Sequence, residues 1–466
     1  MKKICILPLL FGVLLAGCND FLGIKPKGSL IPENDKDFEY MLNYAQQLKT
    51  GESYPAFLTD DAYLPYESQN MINQGFVGSA KSTQNAYTFQ PDIFGDSEED
   101  PLWVYSYQRL YYYNTIINWA DAEEELSEKG RSIKAEALTG RALDYLYLVN
   151  GYGKHYDPAT AASDLAVPLI TEALATQESK PRATVQELYD LILSDLTEAI
   201  PALPVRPVLN SFRASKAAAT GLLARVYLYM GKYAEALKAA NQTLEMNDKL
   251  LDFKTLTVNP QMLGLSMVDM PMTLDNPESI YARTAPYSFG NAFSVFPSAS
   301  LESIYDTVND LRWQHEFDHS SQIYYSSPEA IYMPGWEINL GITTPEIYLI
   351  AAECEARVGN PQRALDLLNT LRDNRIVGAV PLASSDKGEI LRMILQERRR
   401  EFALVGLFRL IDLKRLAADP ANAVTFTRTL EGESWTITPG DPRLILPIPR
   451  QVMLKNDLLV PNDRQL

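Results

Sequence analysis

Three cysteines and three histidines in 466 residues leave little material for thiol or metal chemistry. Cys5, Cys18 and Cys354 make no CxxC pair, and no disulfide framework is expected. Cys354 lies in a strongly helical stretch and reads as a small buried hydrophobe. His315 and His319 are four residues apart, a spacing that suits a metal on one helix face. No HExxH pattern or cysteine pair accompanies them, and no metal site is read here. The chain also lacks a glycine-rich phosphate loop and a nucleophile elbow, so no cofactor and no catalytic residue is expected. Positive charge is scarce. Lys and Arg number 42 against 59 Asp and Glu, a net charge of −17, which argues against nucleic acid and against docking on anionic lipid. Carboxylate pairs are abundant, as in any acidic chain, and nothing singles one out as a glycosidase pair. Beyond the N-terminus no apolar run reaches membrane-spanning length.

What is present begins at residue 1. Lys2 and Lys3 precede an apolar run from Ile4 to Leu15, then Leu15-Ala16-Gly17-Cys18. A basic start, an apolar core and small residues before the cut describe a secretory signal over residues 1–17. The cysteine after the small pair resembles the lipobox of bacterial lipoproteins, in which the thiol is acylated. Residues 1–17 carry Lys2, Lys3 and no acid, so cleavage takes the charge from −17 to −19. Residues 18–35 read as a tether leading into a single domain over 18–466.

The spacing of apolar residues predicts helices over Asp37–Leu48, Leu102–Ala120, Ser132–Val149 and Thr184–Ile200, the last with Thr184 and Glu187 placed as a capping box. Residues 50–100 read as irregular. Ser215–Met230 and Lys232–Met246 form a hairpin about Gly231, and Pro345–Val358 and Pro361–Leu371 form another about Gly359. Aligning the glycines brings Ala224 onto Ala352, Ala236 onto Ala364 and Leu237 onto Leu365, as in tetratricopeptide-like helical hairpins. The fold class is therefore all-α, a scaffold of such hairpins. Residues 250–342, rich in proline and glycine, interrupt it, and a long insertion on a helical scaffold is usually functional.

Several motifs stand along the chain: Cys18 followed by Asp20-Phe21-Leu22 and Lys25-Pro26, Arg141-Ala142-Leu143 through Gly153, Asp310-Leu311-Arg312, and Glu346-Ile347-Tyr348-Leu349 through Glu353. Together they resemble the SusD/RagB family of Bacteroidetes. The strongest is Glu397-Arg398-Arg399-Arg400-Glu401 with Gly406, Asp412-Leu413-Lys414-Arg415 and Leu446-Pro447-Ile448-Pro449. Val405 stands where the family usually has Glu. The resemblance implies a non-enzymatic nutrient-binding lipoprotein of the outer membrane, exposed at the cell surface. It would capture oligosaccharide and hand it to a TonB-dependent transporter barrel of the SusC type. A peptide-binding subunit of the same kind of complex, a surface glycosidase and a purely structural partner of the barrel are the alternatives. The Arg398-Arg399-Arg400 run, flanked by Glu397 and Glu401, reads as internal ion pairing.

Aromatics are 10% of the chain, with 26 tyrosines and 5 tryptophans, and flat rings with polar tips suit the faces of neutral sugars. Tyr111, Tyr145, Tyr227 and Tyr229 fall in helices and read as core. The loop aromatics Tyr287, Phe289, Tyr324, Tyr325 and Trp336 are the candidate ligand contacts. Asp60, Asp61 and Tyr66 are candidates for polar contacts. Trp103 reads either as a core anchor or as a platform, and the resemblance adds weight to the platform.

Overall fold

The structure is a computed structural model that describes residues 32–44, 54–67, 75–173, 179–262, 265–286, 295–318, 331–332 and 337–464. Its helices are α1 (Asp35–Leu42), α2 (Gly75–Gly78), α3 (Lys81–Tyr87), α4 (Pro101–Ala122), α5 (Glu128–Tyr152), α6 (Val185–Ala202), α7 (Lys216–Tyr229) and α8 (Tyr233–Met246). There follow α9 (Ala299–Glu302), α10 (Leu311–Glu316), α11 (Thr344–Val358), α12 (Pro361–Asp373), α13 (Lys387–Glu401), α14 (Phe408–Arg415) and α15 (Arg450–Lys455). The fold is all-α with tetratricopeptide-like hairpins, as the sequence predicts.

Caps set where these helices begin. The Glu187 amide donates to Thr184 Oγ1 (3.1 Å) and the Thr184 amide donates to the Glu187 carboxylate (2.7 Å), so two end donors of α6 are satisfied reciprocally. Ser127 caps α5 through the Gly130 amide, which starts this helix four residues before the apolar spacing suggests. The two hairpin glycines serve different ends. Gly231 has φ +70°, a left-handed turn with open space around it. Gly359 has φ −116°, and a Cβ there would overlap the Glu355 carboxylate, which accepts from the Asn360 amide at 2.7 Å.

Consecutive helices pack as neighbours from α4 to α8, and α8 then packs on α11, which packs on α12 and α13. The α7–α8 and α11–α12 hairpins thus lie side by side although the insertion separates them in sequence. At the centre of α8 the buried residues are Ala236, Ala239, Ala240 and Thr243, small enough for close helix approach. Tyr233, Leu237 and Leu244 lie half-buried beside them.

Buried ion pairs tie one helix to the next. Arg109 of α4 meets Asp144 of α5, and Arg141 of α5 meets Asp195 of α6 (2.7 and 2.8 Å). Arg225 of α7 meets Glu346 of α11 (2.6 and 2.7 Å), and Arg415 of α14 meets Glu353 of α11 (2.7 and 2.9 Å). Such forked pairs fix direction and register as well as distance. The buried Lys414 amine donates to the carbonyls of Asn150 and Gly153 (2.6 and 2.7 Å), closing the C-terminal end of α5.

The later part of the insertion leaves and rejoins the scaffold at one seam. Strand β4 (Ser279–Tyr281) pairs with β10 (Ile342–Thr343), setting Tyr281 opposite Ile342. Gly341 lies so close to the Tyr281 carbonyl that no Cβ would fit. Within the insertion, β2 (Val258–Met262) pairs with β3 (Leu265–Val268) and β5 (Thr284–Pro286) with β9 (Glu337–Asn339). Strand β6 (Phe296–Pro297) pairs with β1 (Ala62–Tyr63), and β7 (Phe317–Asp318) with β8 (Ile331–Tyr332), all antiparallel.

The structure departs from the sequence reading in places. Tyr145 and Tyr229 are core and Tyr227 is half-buried, but Tyr111 is 48% exposed, because it lies on the solvent side of α4. Helix α1 ends at Leu42, and α10 ends at Glu316, short of His319, which lies outside the described residues. Val358 is exposed, whereas Ile347, Ala351 and Cys354 of the same stripe are fully buried. A hairpin of β11 (Phe426–Leu430) and β12 (Glu433–Ile437) was not marked by the sequence reading. Its two-residue turn, Glu431-Gly432, has positive φ at both positions, and that pair between alternating residues was the available signal.

Candidate ligand-binding site

Residues 54–66 pack against α3 and carry two half-exposed rings. Tyr54–Leu58 form a 3-10 turn with every residue buried, followed by buried Thr59, Asp60 and Asp61. Strand β1 then alternates: Ala62 points inward and Tyr63 is 37% exposed, edge-on to Phe296 of β6 at 6.4 Å. Tyr66 is 40% exposed and stacks on Phe76 of α2 at 6.2 Å. The Phe76 amide donates to the Pro65 carbonyl (2.7 Å), the Val77 amide to that of Tyr66 (3.1 Å), and the Leu64 amide to the Tyr87 hydroxyl (3.1 Å). The two rings therefore sit on a backbone that is pinned at Leu64, Pro65 and Tyr66.

Next to β6 the insertion supplies an aromatic cluster. Trp313 stacks on Phe317 at 4.7 Å, Tyr305 touches both, and Phe317 meets Tyr332 of β8 at 5.4 Å. The Tyr332 amide donates to the Val295 carbonyl (3.2 Å), joining β8 to the start of β6. The Tyr305 hydroxyl donates to the Arg400 carbonyl of α13 (2.7 Å).

The sequence candidates divide into three groups. Tyr287, Phe289, Tyr324, Tyr325 and Trp336 lie outside the described residues; in sequence they fall between β5 and β6, between β7 and β8, and just before β9. Tyr66 is on the ledge. Asp60, Asp61 and Trp103 are interior. Trp103 is 5% exposed, packed at 5.0 Å on Tyr107 and edge-on to Tyr152, which is the environment of a core anchor. Asp60 accepts both forks of Arg409 (2.7 Å each), and Asp61 accepts from Arg399 Nε (2.6 Å). Burial would push the Asp60 carboxyl up, but Arg409 and Arg399 outweigh it and hold the group below the usual range. Asp61 is pushed up by burial and by its neighbour Asp60, against the pull of Arg399. Tyr63 and Phe76 were missed by the sequence reading. Tyr63 sits in Tyr63-Leu64-Pro65-Tyr66, where a proline between two tyrosines was the one available cue for exposed rings.

Two other carboxyls titrate high. Asp100 is raised to about 6 by burial, even though the hydroxyls of Tyr54 (2.9 Å) and Tyr152 (2.5 Å) donate to it. Glu316 is raised to about 8 by burial and by the nearby Glu401. Asp100 is buried and Glu316 half-buried, and neither belongs to the ledge. Among the described residues no group of three or more His, Cys, Asp and Glu side chains could hold a metal ion, and no helix is long and apolar enough to cross a membrane.

The Arg398-Arg399-Arg400 run is spent internally, as the sequence reading expected. Arg398 pairs with Asp412 (3.0 Å), Arg399 with Asp61, and Arg400 with Glu397 (2.6 Å). Glu397 and Glu401 also face Arg312 (2.6 and 2.8 Å), itself on Asp310 (2.8 Å), and Glu401 faces Arg375.

A scaffold of tetratricopeptide-like helical hairpins carrying a loop-rich insertion defines the class of fold. A family model described as starch-binding and associating with the outer membrane matches residues 20–228, and the SusD family model matches residues 344–464. The chain belongs to the SusD/RagB family. It is 24% identical to SusD-like protein P38 of Formosa agariphila, over 92% of this chain and 96% of that one. A SusD superfamily protein of Bacteroides thetaiotaomicron superposes with a TM-score of 0.71 at 21% identity, covering 93% of this chain and all of that one. A putative sugar-binding protein of Bacteroides vulgatus superposes at 0.70 with 22% identity, over 94% and 100%. A laminarin-binding SusD-like protein superposes at 0.64 with 20% identity, over 93% and 100%.

Proposed function

We propose that this protein is a surface-anchored subunit that captures oligosaccharide and passes it to a TonB-dependent transporter of the outer membrane. The observation that carries the reading is the ledge: Tyr63 and Tyr66, half-exposed and uncharged, held by a backbone that scaffold and insertion fix together. Flat rings with hydroxyl tips bind the C–H faces of neutral sugars and accept or donate to their hydroxyls. Asp60 and Asp61 are occupied by arginines, while Glu67, the residue after Tyr66, is exposed at the end of the ledge. Tyr287, Phe289, Tyr324, Tyr325 and Trp336 extend the same chemistry. The family description and the laminarin-binding structural relative favour a glycan over a peptide.

The test is calorimetric titration with laminarin, starch oligosaccharides and mixed peptides, with product analysis in parallel. Glycan binding without turnover supports the reading. Peptide binding alone moves the assignment to the peptide-binding subunit, and release of shorter sugars makes the protein a glycosidase.

Anchoring is part of the proposal. Residues 1–17 act as the lipoprotein signal and Cys18 carries the lipid. Each buried methylene supplies about 0.8 kcal/mol, and stable attachment takes more than one chain. Cys18→Ala should move the protein out of the carbonate-washed membrane fraction, and mild detergent should extract the wild type together with a large β-barrel. Retention of Cys18→Ala in washed membranes removes the lipid anchor from the scheme.

A further inference from the structure

We infer that Arg399 and Arg409 are positioning residues for ligand recognition, a clamp that sets the register of the Tyr63–Tyr66 ledge from a part of the chain more than 330 residues away. The inference rests on the ledge being the ligand site. Arg409 of α14 holds Asp60 through two parallel bonds of 2.7 Å. Arg399 of α13 donates through Nε to Asp61 (2.6 Å) and lies 3.2 Å from Asp60 Oδ2, while its Nη2 donates to Ser300 (2.8 Å). Ser298 closes the other side, with its hydroxyl on the Asp60 carbonyl (2.6 Å) and its amide on the Asp61 carbonyl (2.7 Å). Arg428 of the β11–β12 hairpin donates to the carbonyls of Phe57 (2.8 Å), Tyr87 (2.5 Å) and Thr59 (2.6 Å).

Register is what this clamp supplies. Strand β1 is two residues long and makes two pairs, Ala62 with Pro297 and Tyr63 with Phe296. Side chains alternate faces along a strand, so a slip of one residue turns Tyr63 inward and Leu64 outward. Two pairs, one of them to a proline that has no N–H, are too few to forbid that slip. The carboxylates immediately before β1 are locked to two arginines of the scaffold, and this fixes which face Tyr63 takes. Two acids meet two guanidinium groups, so the clamp is neutral and suits its burial.

The experiment compares wild type, Arg399→Gln, Arg399→Lys and Tyr66→Ala by amide hydrogen exchange and by laminarin titration. Arg399 is the choice because it lies at the rim, 13% exposed, so the variant should fold. Arg399→Gln should lose protection at the Leu64 and Phe76 amides while α5 and α11 keep theirs, and should weaken laminarin binding at least tenfold. Arg399→Lys, which keeps the charge without the fork, should recover part of both. Unchanged protection at Leu64 and Phe76 in Arg399→Gln overturns the clamp whatever the binding result. If Arg399→Gln fails to fold, the same exchange measurement on Arg399→Lys decides. If Tyr66→Ala binds laminarin as tightly as wild type, the ledge reading falls while the exchange data still judge the clamp.

Discussion

The helical scaffold and the loop-rich insertion hold their shapes by opposite means. In the scaffold, long helices bury wide apolar faces, and forked arginine–carboxylate pairs join α4 to α5, α5 to α6, and both α7 and α14 to α11. Among the described residues of the insertion no strand exceeds five residues, each pairs with a single partner, and shape is borrowed through contacts such as Tyr305 on Arg400 and Ser298 on Asp61. Stability therefore concentrates in the scaffold, and the proposed recognition surface lies on what it holds. A residue's effect on folding should be poorly related to its effect on binding.

The largest expected effect breaks the scaffold side alone. Arg225→Ala strands Glu346 as a buried charge and removes a donor from the Gly341 carbonyl, so urea unfolding should show a loss of about 3–5 kcal/mol. A loss below about 1 kcal/mol would mean that the pair contributes register and not stability.

A smaller effect separates the two regions by pH. Burial would raise the Glu397 carboxyl, but Arg312 and Arg400 outweigh burial and lower it from 4.5 to about 2. A carboxyl depressed in the folded state adds stability that is present above its unfolded value and is lost as pH falls through the folded one. The window is therefore about pH 4.5 down to about 2, with about 3 kcal/mol at stake from this group, since each unit is worth about 1.4 kcal/mol. Denaturant melts at pH 5 and pH 2.5 should differ for wild type and differ less for Glu397→Gln.

The smallest folding effect belongs to the ledge. Tyr66→Ala should change stability by no more than about 0.5 kcal/mol, as a half-exposed surface ring. It should weaken glycan binding by about 1–3 kcal/mol, the range for a central aromatic contact. Calorimetry with thermal melts on the same sample checks both halves. A large drop in melting temperature would place Tyr66 among the scaffold residues and erase the contrast.

What could be read from the sequence follows the same division. The hairpins were legible because a turn glycine and Ala-Leu steps repeat in local order. The family motifs were legible too, and the structure explains their content. Arg141, Asp310, Arg312, Glu346, Glu353, Glu397, Glu401, Asp412 and Arg415 are members of buried ion pairs, so the motifs record how helices are joined. The partners were not legible: Arg225 is 121 residues from Glu346, and no local pattern links them. Asp60 and Asp61 drew notice as polar groups in an irregular stretch, yet whether such acids face solvent depends on Arg399 and Arg409 far downstream. Tyr63 was missed because exposure alternates along a strand too short for its period to be seen.

The seam at Tyr281 and Ile342 has a consequence in polymer terms. The chain departs for the ligand-side strands beside the point where it returns, with Gly341 backbone against the Tyr281 carbonyl. The residues between are a closed loop whose two ends the scaffold has already brought together. The entropy of closing such a loop grows only with the logarithm of its length, about 0.6 kcal/mol for each doubling. Lengthening, shortening or exchanging that segment therefore asks almost nothing of the α7–α8 and α11–α12 stack. The same helical chassis can accept a different loop provided the residue at 341 stays without a side chain and the Asp310–Arg312 step that neutralises Glu397 and Glu401 is kept.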